Sequence, residues 1–273
     1  MKHSHRPEFN ALAMRLQMIA AGRPAVFFLN PGNWGDSLIR EGAETFLRWA
    51  DIPYVPIRAK DIHKGRLTIE SAKAATGHPD PIMIYNGSGL WTSHYDILPR
   101  ISKLANAFGT VVILPSTFAI AIDRSLFPTD THFFARDRFQ SQEQMPDSLF
   151  CHDMAFFLDI ASSAPTERHG LFFREDSEAP DDGFTPPKSN FDLSKLGRTH
   201  TPVDRMVEQI GRYAQVSTNR LHIGIAAAML GRRVHIAPND YFKIKAIFDS
   251  SIKVHYPNAY FFKSAQESLI QIP

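Results

Sequence analysis

The sequence predicts an α/β protein of two Rossmann-like domains, the second smaller than the first. Short apolar runs, typical of buried strands, alternate with segments whose apolar residues recur at helical spacing. A polar segment with a proline at 162–170 interrupts the alternation, which then resumes. We therefore expect domains at 1–163 and 164–273, each with a mostly parallel sheet covered by helices.

The elements of the first domain follow from its apolar pattern. An amphipathic helix is expected near the N-terminus, because Arg15 and Gln17 interrupt the apolar residues and argue against a signal peptide. Gly109 is a typical helix stop. Strands are predicted at 25–30, 54–57, 81–89, 110–118 and 131–137, and helices at 36–50 and 96–109.

The second domain repeats this alternation after an irregular start. The segment 177–200 is rich in Pro and Asp and lacks apolar periodicity, so it is expected to be an irregular loop. Strands are predicted at 171–176, 214–218 and 233–238, and helices at 202–213, 220–231 and 241–250. Ligands of open α/β sheets bind at the carboxyl ends of the strands, so we expect a ligand cleft between the two domains.

Composition excludes several classes of protein. The formal net charge of the 273 residues is +2, without a long basic run, which argues against nucleic-acid binding. No apolar run reaches the roughly 20 residues of a transmembrane helix. The one cysteine, Cys151, excludes an internal disulfide and a cysteine-based zinc site, and the 12 scattered histidines suggest no metal site. A reducing cytoplasm is expected, with the inner face of the membrane and homo-oligomer formation left open.

The stretch "NPGNWGDSLI" (30–39) predicts a tight turn between a buried strand and a helix. Gly32 and Gly35 allow a ligand to approach the backbone, and the helix start offers free N–H groups. Asp36 is then a catalytic or polar group of a ligand site. The alternative is a structural turn in which Asp36 only caps the helix, a role worth ~1 kcal/mol.

The stretch "STNRLHIGIAAAMLG" (217–231) predicts a buried helix with two cationic residues in its first turn. Cations are disfavoured there because the helix dipole is already positive. Arg220 and His222 are therefore expected to bind a phosphate or carboxylate together with the free N–H groups. In the alternative, Arg220 pairs with a carboxylate of the first domain and His222 is a hydrogen-bonded core residue.

Four further features carry polar residues near strand or helix ends. Asp153 lies in an apolar setting and needs a partner, for which Arg136 is a candidate. The turn at 86–89 either faces a ligand or simply reverses the chain. Lys243 is expected in the first turn of a late helix, where it binds an anion or is solvated.

The ordered set of these motifs resembles the polysaccharide pyruvyl transferase family over about residues 25–250. The family's Gly-Asn-x-Gly-Asp turn corresponds to Gly32–Asp36, and its Thr-x-Arg-Leu-His motif to Thr218–His222. The other matching segments are Asn86–Gly89, Leu114–Phe118, Ala135–Asp137, Asp153–Ala155 and Asn239–Lys243.

The resemblance implies a fold like that of the GT-B glycosyltransferases and a donor, phosphoenolpyruvate, whose pyruvyl group becomes a cyclic ketal on a sugar of a surface glycan. It implies no cofactor and leaves open whether the acceptor is lipid-linked. The expected catalytic residues are His222, Asp36 and Asp153. The expected donor-binding residues are Arg220, Arg136, Asn33, Gly35, Thr218 and Lys243, and the expected acceptor-binding residues are Trp34, Asn86 and Ser88.

Three functions are carried forward from the sequence. In the first, His222 protonates the methylene carbon of phosphoenolpyruvate, and Asp36 or Asp153 accepts the proton of the sugar hydroxyl. The second is a nucleotide-sugar glycosyltransferase of the same fold, with a diphosphate held at Arg220. The third is a binding protein of this fold without turnover, which the short second domain keeps open.

Overall fold

Two parallel β-sheets, each with its own helices, organise the chain. The computed structural model describes residues 6–93, 95, 97–176, 178–180 and 182–270. Contacts divide the chain into unit 1, Met1–Pro31 with Ile39–Leu158, and unit 2, Gly32–Leu38 with Asp159–Pro273. The predicted α/β class is confirmed. The expected domain boundary fell after residue 163, whereas the contacts divide the chain after Leu158 and group the Gly32–Leu38 segment with unit 2.

Unit 1 contains a parallel sheet that has six strands among the described residues. The strands are β1 (Ala25–Leu29), β2 (Tyr54–Arg58), β3 (Ile82–Tyr85), β4 (Val111–Ser116), β5 (Thr131–Ala135) and β6 (Leu149–Phe150). The helices are α1 (Pro7–Ala20), α2 (Trp34–Trp49, whose first residues group with unit 2), α3 (Ala59–His63), α4 (Ile69–Ala74), α5 (Leu98–Ala105) and α6 (Gln140–Gln144). Single 3₁₀ turns occupy Arg124–Leu126 and Met154–Phe157.

The strand order in unit 1 reverses once. The sheet reads β2-β1-β3-β4-β5-β6, so β1 lies between β2 and β3, with Ala25 paired to Tyr54 on one side and to Ile82 on the other. Every residue of β1 and β3 is buried, as expected of central strands covered on both faces. The chain leaves β1 toward one edge and returns toward the other, which makes the carboxyl ends of β1 and β3 a topological switch point.

Aromatic packing fixes the N-terminal helix to unit 1. The ring centroid of Phe9 lies 6.1 Å from that of Phe46 and 5.0 Å from that of Phe157, and the last two rings are 5.2 Å apart. Such edge-to-face and tilted pairs are the favoured aromatic geometries. The prediction of an amphipathic helix at the N-terminus is therefore confirmed as α1.

Unit 2 contains a smaller parallel sheet, with four strands in the part that the structure describes. Its strands are β7 (Glu167–Phe172), β8 (Tyr213–Thr218), β9 (Arg233–Ile236) and β10 (Ala259–Phe261), in the order β10-β9-β8-β7. Its helices are α7 (Asp204–Gly211), α8 (Leu221–Met229), α9 (Lys243–Ile247), α10 (Lys253–His255) and α11 (Ala265–Ile270), with a π-helical turn at Phe248–Ile252 and a 3₁₀ turn at Leu193–Leu196. None of the described helices is long and apolar enough to cross a membrane.

The polar segment 162–170, which was expected to interrupt the alternation between the two domains, does so only in part. Its last residues begin β7, which among the described strands pairs with β8 alone and therefore lies at the edge of the sheet. An edge strand tolerates polar residues such as Glu167 and His169. Because of these polar residues, the start of β7 could not be predicted from a run of apolar residues. The described part of 177–200 is irregular as predicted, and Asn190 holds it by accepting a hydrogen bond from the N–H of Phe173 at 2.7 Å.

Unit 2 is expected to lose stability in acid through His169. Burial, and then the charge of His235, lowers the pKa of His169 from 6.5 to about 4. Between these values the unfolded chain binds a proton that the folded chain does not, so stability falls as pH drops from 6.5 to about 4, and this group adds no loss below that. Denaturant midpoints measured from pH 7 to pH 4 should therefore decline less steeply for His169→Gln than for the natural chain.

The matched control is His200→Gln, because His200 is exposed and lies in the same unit. It should leave the slope unchanged. A His169→Gln curve parallel to that of the natural chain would contradict the assignment.

Candidate functional site

The turn that opens α2 is closed by two of its own side chains. Asn33 Oδ1 accepts a hydrogen bond from the N–H of Gly35 at 2.7 Å, and Asp36 Oδ2 accepts one from the N–H of Asn33 at 2.8 Å. A Cβ on Gly32 would lie only 2.0 Å from Asp36 Oδ2, so this position requires glycine. The capping role that the sequence offered for Asp36 is therefore present, and it leaves the carboxylate on the surface of the turn, half-buried.

The same turn packs against the Arg-Leu-His segment within unit 2. A Cβ on Gly35 would lie 2.7 Å from Nδ1 and 3.0 Å from Cβ of His222, so the imidazole occupies the space that any larger residue would need. His222 is half-buried in the first turn of α8. Two motifs far apart in the sequence are thus in direct contact.

Arg220 lies one position earlier relative to the start of α8 than the sequence predicted. It is the N-cap of α8 rather than a first-turn residue, and its N–H donates to Thr218 Oγ1 at 2.9 Å. The Thr218 hydroxyl in turn donates to the carbonyl of Phe172 at 2.7 Å and is fully buried. Thr218, expected to bind the donor, instead shapes the backbone that presents Arg220.

The guanidinium of Arg220 is paired with carboxylates of its own unit. Nε donates to Asp192 Oδ1 at 2.9 Å and Nη2 to Asp192 Oδ2 at 2.6 Å, and Nη2 also lies 2.7 Å from Asp176 Oδ2. The Arg220 and Asp192 side chains are 6% and 2% exposed, so this is a buried bidentate pair. The alternative of a carboxylate partner is therefore realised, and both partners come from the second unit rather than the first.

A chain of alternating charges extends from this pair. Arg174 donates from Nε to Asp176 at 2.8 Å and from Nη1 to Glu178 at 2.7 Å. Lys243, the first residue of α9, lies 3.1 Å from Glu178 Oε2 and 4.7 Å from the ring centre of Tyr241. Lys243, which was expected to bind the donor, thus has Glu178 of this charge network as its ion-pair partner.

The pKa values in this network reflect its charge pairing. Burial acts to raise the pKa of Asp176, but hydrogen bonding and charge from Arg174, and then from Arg220, hold it below its usual value. Burial likewise acts to lower the pKa of Arg174, and Asp176 and Glu178 raise it instead. Both groups are therefore charged near neutral pH.

In unit 1, the expected pair of Asp153 and Arg136 is present and closed to solvent. Arg136 Nη1 lies 2.6 Å from Asp153 Oδ2, and the side chains are 1% and 0% exposed. Arg136 Nε donates to Thr117 Oγ1, and Asp153 Oδ1 caps a 3₁₀ turn through the N–H of Ala155. This burial and these partners are typical of a structural salt bridge.

Trp34, an expected acceptor-binding residue, is also buried. Its side chain is 4% exposed, and Nε1 donates to the carbonyl of Pro202 at 2.9 Å. A Cβ on Gly197 would lie 2.3 Å from the indole, so the ring packs directly on that backbone. Trp34 anchors the turn and does not present its face to a sugar.

The other two acceptor candidates lie at the switch point of unit 1. Asn86 and Ser88 follow β3 and are fully buried. Neither amide atom of Asn86 has a hydrogen-bond partner among the described residues, although buried amides normally have one. Asn30, which follows β1, donates to the carbonyl of Asn86 at 3.0 Å, and its own Oδ1 is likewise unsatisfied.

Sequence reasoning missed the charged partners of Arg220 and the role of Asn30. Asp192 lies in the segment predicted to be irregular, and Asp176 ends a predicted strand at 171–176 where the observed strand stops at Phe172, so neither was singled out. Asn30 did carry a signal, because it is a polar residue directly after a buried strand. Among the described residues, no group of three His, Cys, Asp or Glu side chains is placed to hold a metal ion.

Comparison with known proteins supports the fold and indicates no function. No protein-family model matches the sequence, and no curated protein matches it. An uncharacterized protein from Klebsiella pneumoniae subsp. pneumoniae NTUH-K2044, known as a crystal structure, is similar with a TM-score of 0.75 and 22% identity. The similarity covers 95% of this chain and 100% of that one.

Gly35→Ala should displace the imidazole of His222 with a limited loss of stability. The added methyl group overlaps Nδ1, whereas alanine itself is favoured in a helix, so we expect a cost of about 1–3 kcal/mol. NMR of histidine-labelled protein should show shifted ring signals for His222. Gly109→Ala is the control, because a Cβ there meets nothing within 4 Å. Unshifted His222 signals in Gly35→Ala would refute the contact.

Proposed function

We propose that the protein is a ketal-forming pyruvyl transferase that uses phosphoenolpyruvate as donor and a sugar of a surface glycan as acceptor, on a GT-B-like fold. The contact between Gly35 and His222 carries this proposal. It joins the Gly-Asn-x-Gly-Asp turn to the Arg-Leu-His segment, the two motifs on which the resemblance to polysaccharide pyruvyl transferases mainly rests. A shared position in space is expected if both motifs serve one reaction.

The chemistry requires one acid and one base. Protonation of the methylene carbon of phosphoenolpyruvate makes the adjacent carbon electrophilic, and a sugar hydroxyl attacks it and releases its proton. The C–O bond to phosphate then breaks, inorganic phosphate leaves, and a second hydroxyl closes the ketal while giving up its proton. One released proton restores the acid, and the other ends on the phosphate, which leaves as hydrogen phosphate.

His222 and Asp36 are the residues proposed for these two roles. The imidazole of His222 is half-buried and packs against Gly35, which has no side chain to displace it. In its protonated form, an imidazole at this position is a suitable proton donor. Of the two carboxylates considered for the base, Asp36 lies in the turn that contacts His222. Asp153 is closed off by its pair with Arg136, so we assign that pair to positioning the backbone.

Arg220 is the proposed anchor for the carboxylate or phosphate of the donor. Its Nε and Nη2 are engaged by Asp192 and Asp176, but no hydrogen bond is formed by Nη1 with the described residues. Asp176 is the more exposed of the two partners, with 36% of its side chain accessible, against 2% for Asp192. An incoming anion would therefore replace Asp176 and leave the Asp192 pair intact.

Asn86 and Ser88, which the resemblance implies as acceptor contacts, follow β3 in unit 1, and this role stays a prediction. Asn86 offers an unsatisfied amide donor and acceptor, and Asn30 offers an unsatisfied carbonyl. Sugar hydroxyls both donate and accept hydrogen bonds, so they match such amides. Ser88 is expected to contribute through the conformation of the same turn, because its Oγ accepts from the N–H of Leu90 at 3.3 Å.

His222→Ala should lower transfer by about 10²–10⁴-fold, the usual contribution of a general acid. Release of inorganic phosphate from phosphoenolpyruvate in the presence of candidate glycan acceptors measures it, with circular dichroism to confirm folding. His200→Ala in the same unit should retain full activity. Unchanged turnover in His222→Ala would remove His222 from the mechanism.

A thermal-shift screen tests the donor. Stabilisation of the protein by UDP- or GDP-sugars, and not by phosphoenolpyruvate, would favour a nucleotide-sugar glycosyltransferase instead.

Asp176→Asn should tighten phosphoenolpyruvate binding by on the order of fivefold, about 1 kcal/mol, because it removes the carboxylate that competes for Arg220. Isothermal titration calorimetry measures the change. Asp204→Asn is the control, since Asp204 is an exposed carboxylate of the same unit. Equal or weaker binding in Asp176→Asn would show that the donor does not replace this carboxylate.

A further inference from the structure

A cavity of about 600 Å³ opens in unit 1 at the carboxyl ends of its first three strands. Pro31 lines it shortly after β1, Tyr85 lines it from the end of β3, and residues of α3 line it just after β2. The strand order reverses between β1 and β3, so the cavity lies at the switch point, where open α/β sheets bind ligands. All of its lining residues belong to unit 1, whereas the Gly35–His222 contact belongs to unit 2.

The rim of this cavity is cationic. Lys60, His63 and Lys64 contribute from α3 and the residue after it, and Arg100 and Lys103 contribute from α5. No Asp or Glu is among the lining residues, and none of the Lys and Arg side chains forms an ion pair with the described part of the chain. His63, Arg100 and Lys103 line the same cavity, and burial, followed by the charges of Arg100 and Lys103, lowers the pKa of His63.

This charge contrasts with the rest of the unit. Several other arginines of unit 1 form ion pairs with carboxylates, for example Arg23 with Asp80 and Arg58 with Asp61. Uncompensated positive charges around one concave surface repel each other and raise the local concentration of anions. The rim is therefore suited to a negatively charged group.

The part of the cavity away from these cations is lined mainly by apolar side chains and by Tyr85. Ile62, Ile97 and Leu104 line it together with Tyr85. Tyr85 is fully buried, and its Oη has no hydrogen-bond partner among the described residues. Burial raises the pKa of this phenol, so the group is a neutral donor and acceptor. An unsatisfied buried hydroxyl costs free energy, which a ligand atom would recover.

From these observations we propose that the cavity binds a small organic anion, a phosphate ester or carboxylate attached to a ring or chain that packs on the apolar side chains. The cations of α3 and α5 hold the charged group, and the Tyr85 hydroxyl bonds to a polar atom of the ligand. This site is additional to the proposed donor site, and its ligand belongs to a different unit of the fold.

Titration calorimetry on the full chain tests the site with phenyl phosphate, benzoate and inorganic phosphate as probes. We expect phenyl phosphate or benzoate to bind more tightly than inorganic phosphate, and the order of the first two identifies the anionic group. Arg100→Gln and Lys103→Gln should each weaken that binding by about fivefold or more. Tyr85→Phe should weaken it severalfold while leaving stability unchanged or higher, because it removes an unsatisfied hydroxyl.

Arg15→Gln is the matched control, because Arg15 is an exposed cation of the same unit that does not line the cavity. It should leave binding unchanged. Absence of binding by both ring-bearing probes, or an equal loss of binding in the control and in the cavity variants, would overturn the proposal. Because these measurements involve neither His222 nor turnover, they stand or fall independently of the transferase proposal.

Discussion

The buried pair of Arg220 and Asp192 is the constraint on which unit 2 depends. A guanidinium that is only 6% exposed must be compensated, and Asp192 provides this with two hydrogen bonds of 2.9 and 2.6 Å. The pair ties the irregular chain after β7 to the start of α8, the helix whose first turn holds His222. Removing Asp192 would leave the buried guanidinium with the half-exposed Asp176 as its remaining carboxylate, and loss of one partner of a buried ion pair typically costs about 3–5 kcal/mol. The irregular segment is therefore part of the scaffold of the site.

Regular structure was the part of the fold that the sequence predicted well. Strands β1, β3 and β4 are continuous apolar runs because both faces of the sheet are covered, and such runs need no tertiary information to be recognised. The edge strand β7 was partly hidden, since its outward residues are polar. Helix starts were shifted by one or two residues, as for α8, which was predicted to begin at residue 220 and begins at Leu221 with Arg220 as its cap.

For the candidate site, the sequence predicted which motifs matter but not how their residues contact one another. Sequence reasoning singled out the turn and the Arg-Leu-His segment, but the contact between Gly35 and His222 depends on how unit 2 folds. The carboxylates that pair with Arg220 lie outside the observed helices and strands, so their pairing with a residue at the start of α8 could not be predicted from apolar periodicity. Trp34 illustrates the opposite case, in which a residue type typical of sugar contacts serves as a buried anchor.

Charge at a helix start indicates a ligand only when the protein itself does not supply the opposite charge. Arg220 and Lys243 both satisfy the sequence criterion, yet Asp192 and Glu178 already lie within hydrogen-bond distance of them. The cations around the cavity of unit 1 satisfy the stricter criterion, since among the described residues no carboxylate lines it and the buried Tyr85 hydroxyl has no hydrogen-bond partner. For Arg220, ligand binding must compete with an internal carboxylate, so its affinity depends on how readily the half-exposed Asp176 gives way. For the cavity no such competition exists, and the attraction of an anion is opposed only by solvent and salt.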